Sequence, residues 1–159
     1  MSGLSLRVAV IHRVSKDALM EEAHELIENA LGEIEECLEA WGAFLEYVEP
    51  AQRLMKLPAL EQPLKMWKTY HRVLGEVSRE LEALKRERDF SKVLRGFHES
   101  SDPLRAWAHS NPPIAERLVA ERLVFDELWN SPTGSRLADK VFAAEEGPRE
   151  LEAFYREHR

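Results

Sequence analysis

The acidic side chains of the N-terminal half are the first groups whose types and spacing could do chemistry. Glu21, Glu22, Glu25, Glu28, Glu35, Glu36, Glu39 and Glu46 recur at helical intervals, and no Lys or Arg lies between Lys16 and Arg53. Carboxylates three or four residues apart share a helix face. Such a face can hold a divalent cation through its oxygens, dock a basic partner, or stand solvated at the surface. Glu21-x-x-His24 also has the spacing of a di-iron carboxylate bundle, which requires a second Glu-x-x-His. None of His12, His71, His98, His109 and His158 has a Glu three residues before it. No metal centre of that kind is expected.

Glu22-x-x-Glu25 in MEEAHELIEN resembles the first half of the magnesium-binding pattern of all-α nucleoside triphosphate pyrophosphohydrolases. Those enzymes pair Glu-x-x-Glu on one helix with Glu-x-x-Asp on the next. The resemblance implies Mg²⁺ at Glu22 and Glu25, clamped onto nucleotide phosphates. The second half departs from the pattern. Glu46-x-x-Glu49 ends in Glu, abuts Pro50 and falls on the same predicted helix as the first pair.

A basic face follows. Lys65, Lys68, Arg72, Arg79 and Arg86 fall within roughly 60° of one another on a helical wheel, opposite an apolar stripe. A row of this kind can follow a phosphate backbone, or meet the acidic helix of a neighbouring copy. Lys85, Arg88, Lys92 and Arg95 add charge nearby, with Phe90 and Phe97 available for stacking on bases. The charge is segmented accordingly. Residues 1–52 carry 3 basic and 11 acidic groups, residues 53–98 carry 11 and 6, and the whole chain has a net charge of −7.

Nucleophilic catalysis has no support. Cys37 falls at a core position, where Cys acts as a small hydrophobe. No glycine-rich phosphate loop, Gly-x-Ser-x-Gly or Cys-x-x-Cys is present. No cofactor is expected. Trp41, Trp67, Trp107 and Trp129 lie on or near apolar stripes, where they serve the core.

These residues must be positioned by helices. Arg7–Val14 is rich in β-branched residues, which favours a short extended segment over 1–14, with a distorted first helical turn as the alternative. Ser15 is the expected N-cap of a long acidic helix over 15–49. Met20, Ala23, Ile27, Ala30, Ile34, Cys37, Trp41, Phe44 and Val48 form an unbroken heptad stripe there, and Pro50 is expected to end it. Gly32 is a weak point where a kink is expected. A second helix starts near Pro63, with Met66, Tyr70, Val73, Val77, Leu81 and Leu84 as its apolar stripe. Lys85, Arg88, Lys92 and Arg95 then occupy that same angle. The basic helical region 63–99 should therefore break between about Arg86 and Ser91, with Asp89 capping the next helix.

Prolines punctuate the rest. Asp102-Pro103 and Asn111-Pro112 each read as N-cap and first helical position, the second opening a helix to Trp129. Ser131-Pro132-Thr133-Gly134 predicts a turn. A helix from about Ser135 is then stopped by Gly147-Pro148, and a last helix runs to about His158. The fold class is all-α, a helical bundle on a long antiparallel helical hairpin, with three to five shorter helices over 102–159.

Composition bounds the function. At 159 residues, 44% hydrophobic and 32% charged, the chain has the size and balance of one globular domain. No apolar run approaches the ~20 residues that span a bilayer. Leu4–Val14 is interrupted by Arg7, His12 and Arg13 with no small-residue cleavage site after it, so no secretory signal is expected. The single cysteine fits a reducing, cytoplasmic setting. The expectation is a non-catalytic helical interaction protein: an adaptor, inhibitor or small subunit that meets a protein partner, or another copy of itself, through its charged faces. Glu22, Glu25, Glu36 and Glu39 would bind on the acidic side, and Lys65, Lys68, Arg72, Arg79 and Arg86 on the basic side. A nucleic-acid-associated subunit and the magnesium-dependent pyrophosphohydrolase are the alternatives.

Overall fold

The structure is a computed structural model. It describes residues 2–55, 60–99 and 125–159, with side chains from residue 16 onward except those of 51, 54, 55 and 99. Five helices are described: α1 (Ser2–Met55), α2 (Glu61–Lys85), α3 (Phe90–Glu99), α4 (Asp126–Trp129) and α5 (Pro132–His158). Among the described residues there is no strand, and no helix is long and apolar enough to cross a membrane.

The heptad residues of α1 make the centre of the core. Ala23, Ile27, Ala30, Ile34, Cys37, Trp41, Phe44 and Val48 are all buried. Helix α2 returns antiparallel along one flank: Phe44 meets Trp67 at 5.3 Å between ring centroids, Trp41 meets Tyr70 at 6.2 Å, and His24 reaches Glu87. Helix α5 lies antiparallel along the other flank, where Glu36 meets Lys140 and Ala30 meets Gly147. Helix α3 closes the far end by setting Phe97 and Phe90 against Phe154 of α5. Phe44, Trp67 and Trp129 form a mutual aromatic cluster, with Phe44 and Trp129 only 4.5 Å apart. Each such pair adds ~0.5–1.5 kcal/mol beyond its buried area.

Several local expectations are corrected. The backbone over Arg7–Val14 is helical, not extended, and Ser15 is an interior helical position. β-Branching lowers helix propensity by only a few tenths of a kcal/mol per residue. Among the described residues there is no strand for an extended segment to pair with, whereas a helix pairs its own N–H and C=O groups. Pro50 does not end α1, which continues to Met55. Pro50 and Glu46 are both on the exposed side of the helix. The Glu46 carbonyl that loses its i+4 donor can therefore be served by water, which limits the penalty of the interior proline.

The C-terminal region is corrected more strongly. Ser131-Pro132-Thr133-Gly134 is not a free-standing turn but the N-terminus of α5. The Ser131 side chain accepts from the Gly134 N–H at 3.1 Å, and Pro132 takes the first helical position. Gly147 and Pro148 lie inside α5, which is 27 residues long and thus a third long helix, not two short ones. Both residues are buried. A Cβ on Gly147 would stand 2.7 Å from that of Ala30, so the pair marks a close crossing of α1 and α5. Packing on both sides of Pro148 holds the helix through the lost hydrogen bond. The Asp102-Pro103 helix, Trp107 and the Asn111-Pro112 helix as far as residue 124 lie outside the described residues; the expected continuation to Trp129 is instead the separate short helix α4, because Phe125 leaves helical dihedrals at φ −115°, ψ 52°.

In α2 the apolar stripe is rotated from the expected one. Its buried residues are Leu64, Trp67, Tyr70, Leu74, Val77 and Leu81, while Val73 and Leu84 are half-buried and Met66 is 39% exposed. Trp67 and Leu74 are the larger anchors and take the core position. The break falls where the stripe fails. Helix α2 ends at Lys85, and the Asp89 carboxylate accepts from the Ser91 N–H at 3.0 Å as α3 begins.

Candidate functional site

The stripe of α1 that faces the core leaves its acidic residues on the opposite side. Glu21, Glu22, Glu25, Glu28, Glu35, Glu36, Glu39 and Glu46 are all exposed. They divide into two groups. Glu36 and Glu39 lean toward α5: the Lys140 ammonium donates to Glu36 at 2.7 Å, and Arg136 stands 3.7 Å from Glu39. The hydrogen bond from Lys140, reinforced by its charge, holds Glu36 below the usual carboxylate range; the same contact holds Lys140 above its ordinary value. Glu49 leans toward α2, where Lys68 donates at 2.7 Å and, with help from Arg53, holds it low. These pairs are exposed and worth little individually. Glu21, Glu22, Glu25, Glu28, Glu35 and Glu46 form the second group. Among the described residues, none of them has a cation within ion-pair distance.

The basic row of α2 is exposed as expected, but part of it is engaged within the chain. Lys65 lies 4.0 Å from Glu61, Lys68 is bound to Glu49, and Arg72 donates to Glu76 at 2.8 Å. Arg79 and Arg86 have no carboxylate partner among the described residues.

Glu22-x-x-Glu25 and Glu46-x-x-Glu49 stand on the one continuous helix α1. At ~1.5 Å per residue they are about 36 Å apart along it, so one chain does not bring them onto one ion. His24, the partner of Glu21 in the di-iron spacing, uses Nε2 to donate to the Glu87 carbonyl at 3.1 Å. Among the described residues, no group of three His, Cys, Asp or Glu side chains is arranged to hold a metal ion. Cys37 is fully buried, and burial pushes its thiol up to about 12, with the neighbouring Glu145 charge adding to the effect. A thiol in that state is not a nucleophile.

Two recesses escape a reading of the sequence. One, of about 340 Å³, lies between α1 and α5 and gathers Glu33, Glu146 and Glu150 beside Gly147, which extends the acidic character of α1 onto the neighbouring helix. The other, of about 440 Å³, lies at the α2–α3 junction and is lined by Met20, His24, Lys85, Arg86 and Arg88. The predicted break at this point was its one signal, since a helix end is where successive basic residues leave a single face and can gather. Comparison with protein-family models, with curated proteins and with solved structures finds no match to this chain.

Proposed function

We propose that this chain is a non-catalytic helical interaction protein, an adaptor, inhibitor or small subunit, that docks a basic partner along the outer face of α1. The observation that carries this reading is the division among the α1 carboxylates. Glu36, Glu39 and Glu49 are met by cations of the chain's own helices, whereas Glu21, Glu22, Glu25, Glu28, Glu35 and Glu46 are exposed with no described cation within ion-pair distance. Like charges three or four apart, such as Glu21 with Glu25 and Glu25 with Glu28, each cost ~0.2–0.5 kcal/mol. Folding gains nothing visible in return. A basic surface laid along this ridge would remove the repulsion, and electrostatic complementarity would speed and orient the encounter. The partner is another protein, or a second copy presenting its basic α2–α3 region.

The test is a pull-down from lysate of the source cells, with sedimentation of the purified chain at low and high salt. The expected result is a basic protein, or a second copy, retained at low salt and released at high salt. The triple variant Glu21→Lys, Glu25→Lys, Glu28→Lys should lose it. A strictly monomeric chain that retains nothing, or a partner held equally by the variant, overturns the reading.

A further inference from the structure

The geometry points to an oxyanion site at the α2–α3 junction, and we propose that it takes the phosphate groups of a small phosphorylated ligand. The recess there, about 440 Å³, is of a size that suits a small molecule. Three cationic side chains line it, Lys85, Arg86 and Arg88, together with His24 and Met20. No carboxylate appears in that described lining.

The junction sorts its charges. It contains two acids, Glu87 and Asp89, and both are turned onto the backbone. The Glu87 carboxylate accepts from the N–H groups of Arg88 at 3.1 Å and Asp89 at 3.2 Å. The Asp89 carboxylate accepts from Ser91 and caps α3. The three basic head groups have no ion pair among the described residues. The negative end of the α2 dipole accounts for one cation in its last turn. It does not account for two more beyond the helix end.

The wall opposite is held in place. His24 donates from Nε2 to the Glu87 carbonyl at 3.1 Å, which ties α1 to the junction and fixes which ring nitrogen carries that proton. Met20 and His24 stand one turn apart on α1. Glu21 and Glu28 lie within about 60° of His24 around the helix, but both are exposed and neither stands in the described lining of the recess, whereas the imidazole does.

Two guanidinium groups and an ammonium can meet a polyvalent phosphate with paired N–H donors and a point charge. Inorganic pyrophosphate is the probe, titrated calorimetrically into the full chain at low salt beside inorganic phosphate, adenosine diphosphate and a single-stranded oligonucleotide. The expected result is saturable binding of one pyrophosphate or adenosine diphosphate per chain. Arg86→Gln with Arg88→Gln should weaken it by at least about tenfold, since one charge-assisted contact corresponds to about that factor. Arg149→Gln with Arg156→Gln removes the same charge from α5, away from the recess, and should leave affinity within about twofold; circular dichroism confirms that both variants fold. Absence of saturable binding, equal weakening by the two double variants, or preference for the oligonucleotide over pyrophosphate overturns the proposal. None of these outcomes bears on the acidic face of α1, so the two readings fail separately.

Discussion

Lys140 of α5 donates a hydrogen bond to Glu36 of α1 at 2.7 Å, joining residues 104 positions apart in the chain. It is the shortest ionic link between the two longest helices among the described residues, and Arg136 with Glu39 repeats it one turn away. The acidic face of α1 is therefore partly a structural surface. Its α5 side is engaged within the chain, and its outer side has no described cation within ion-pair distance.

This pair predicts a pH dependence with a definite sign. Glu36 is held below its ordinary value of 4.5, so it contributes stability above that value and loses it as pH falls through the folded value. Lys140 is held above its ordinary 10.5, so it contributes below that value and loses it as pH rises through the folded value. The unfolding midpoint should fall off on both sides of this window. Glu36→Gln should flatten the acid limb, leaving the part due to Glu49. Thermal melts from pH 3 to 11 check this, and an unchanged acid limb in the variant would contradict it.

Gly32 of α1 and Gly147 of α5 should respond to alanine in opposite directions. Gly32 is exposed with nothing within 4 Å of a built Cβ. Gly32→Ala should stabilise by up to ~1 kcal/mol through helix propensity. At Gly147 a Cβ would lie 2.7 Å from the Ala30 Cβ and 2.9 Å from its Cα. Gly147→Ala should destabilise by ~1–3 kcal/mol, because the helices must separate to admit it. Adding Ala30→Gly should recover part of the loss. Urea denaturation of these three variants beside the parent chain measures each term.

The same contrast shows what was legible in the sequence. The α2–α3 break was legible because it is a local contradiction: Lys85, Arg88, Lys92 and Arg95 inherit the angle of an apolar stripe. The heptad of α1 was legible because its apolar period is local and uninterrupted. Pro50 misled because it lies on the exposed side of α1, where water can serve the carbonyl it leaves free, and Gly147-Pro148 misled because both are buried against residues far away in the chain. The acidic and basic faces were readable as faces. Their division into engaged and unengaged groups was not, since Arg136 and Lys140 reach Glu39 and Glu36 only once α5 lies on α1. The contact of His24 with the Glu87 carbonyl had no sequence signal, because a backbone acceptor is present at every position.

Tyr70 provides a test of the aromatic core. Its hydroxyl and the Trp41 indole N–H are buried with no hydrogen-bond partner among the described residues, and the two rings lie 6.2 Å apart. A buried hydroxyl without a partner carries its desolvation cost uncompensated. Tyr70→Phe keeps the ring and removes that cost, so it should be neutral or stabilising by up to ~1 kcal/mol. Trp41→Ala empties the same region and should cost ~3–5 kcal/mol. A Tyr70→Phe variant destabilised by more than ~1.5 kcal/mol would show that the hydroxyl is satisfied in solution.

Cys37 should report on global opening of the bundle. It sits in the heptad of α1 at zero exposure, and burial, with Glu145 beside it, pushes its thiol up to about 12. At pH 8 a thiol of that value has roughly one molecule in ten thousand as thiolate, and the reagent has no path to it without separation of α1 from α5. An aromatic disulfide reagent should therefore leave the native chain unlabelled for hours and label it fully in denaturant. In dilute urea the labelling rate should rise in step with the unfolded fraction. Gly147→Ala should accelerate it and Gly32→Ala should slow it, because the first weakens the crossing that covers Cys37 and the second stabilises the helix that carries it. Rapid labelling of the native chain, at a rate indifferent to both substitutions, would mean that α5 does not cover α1 in solution.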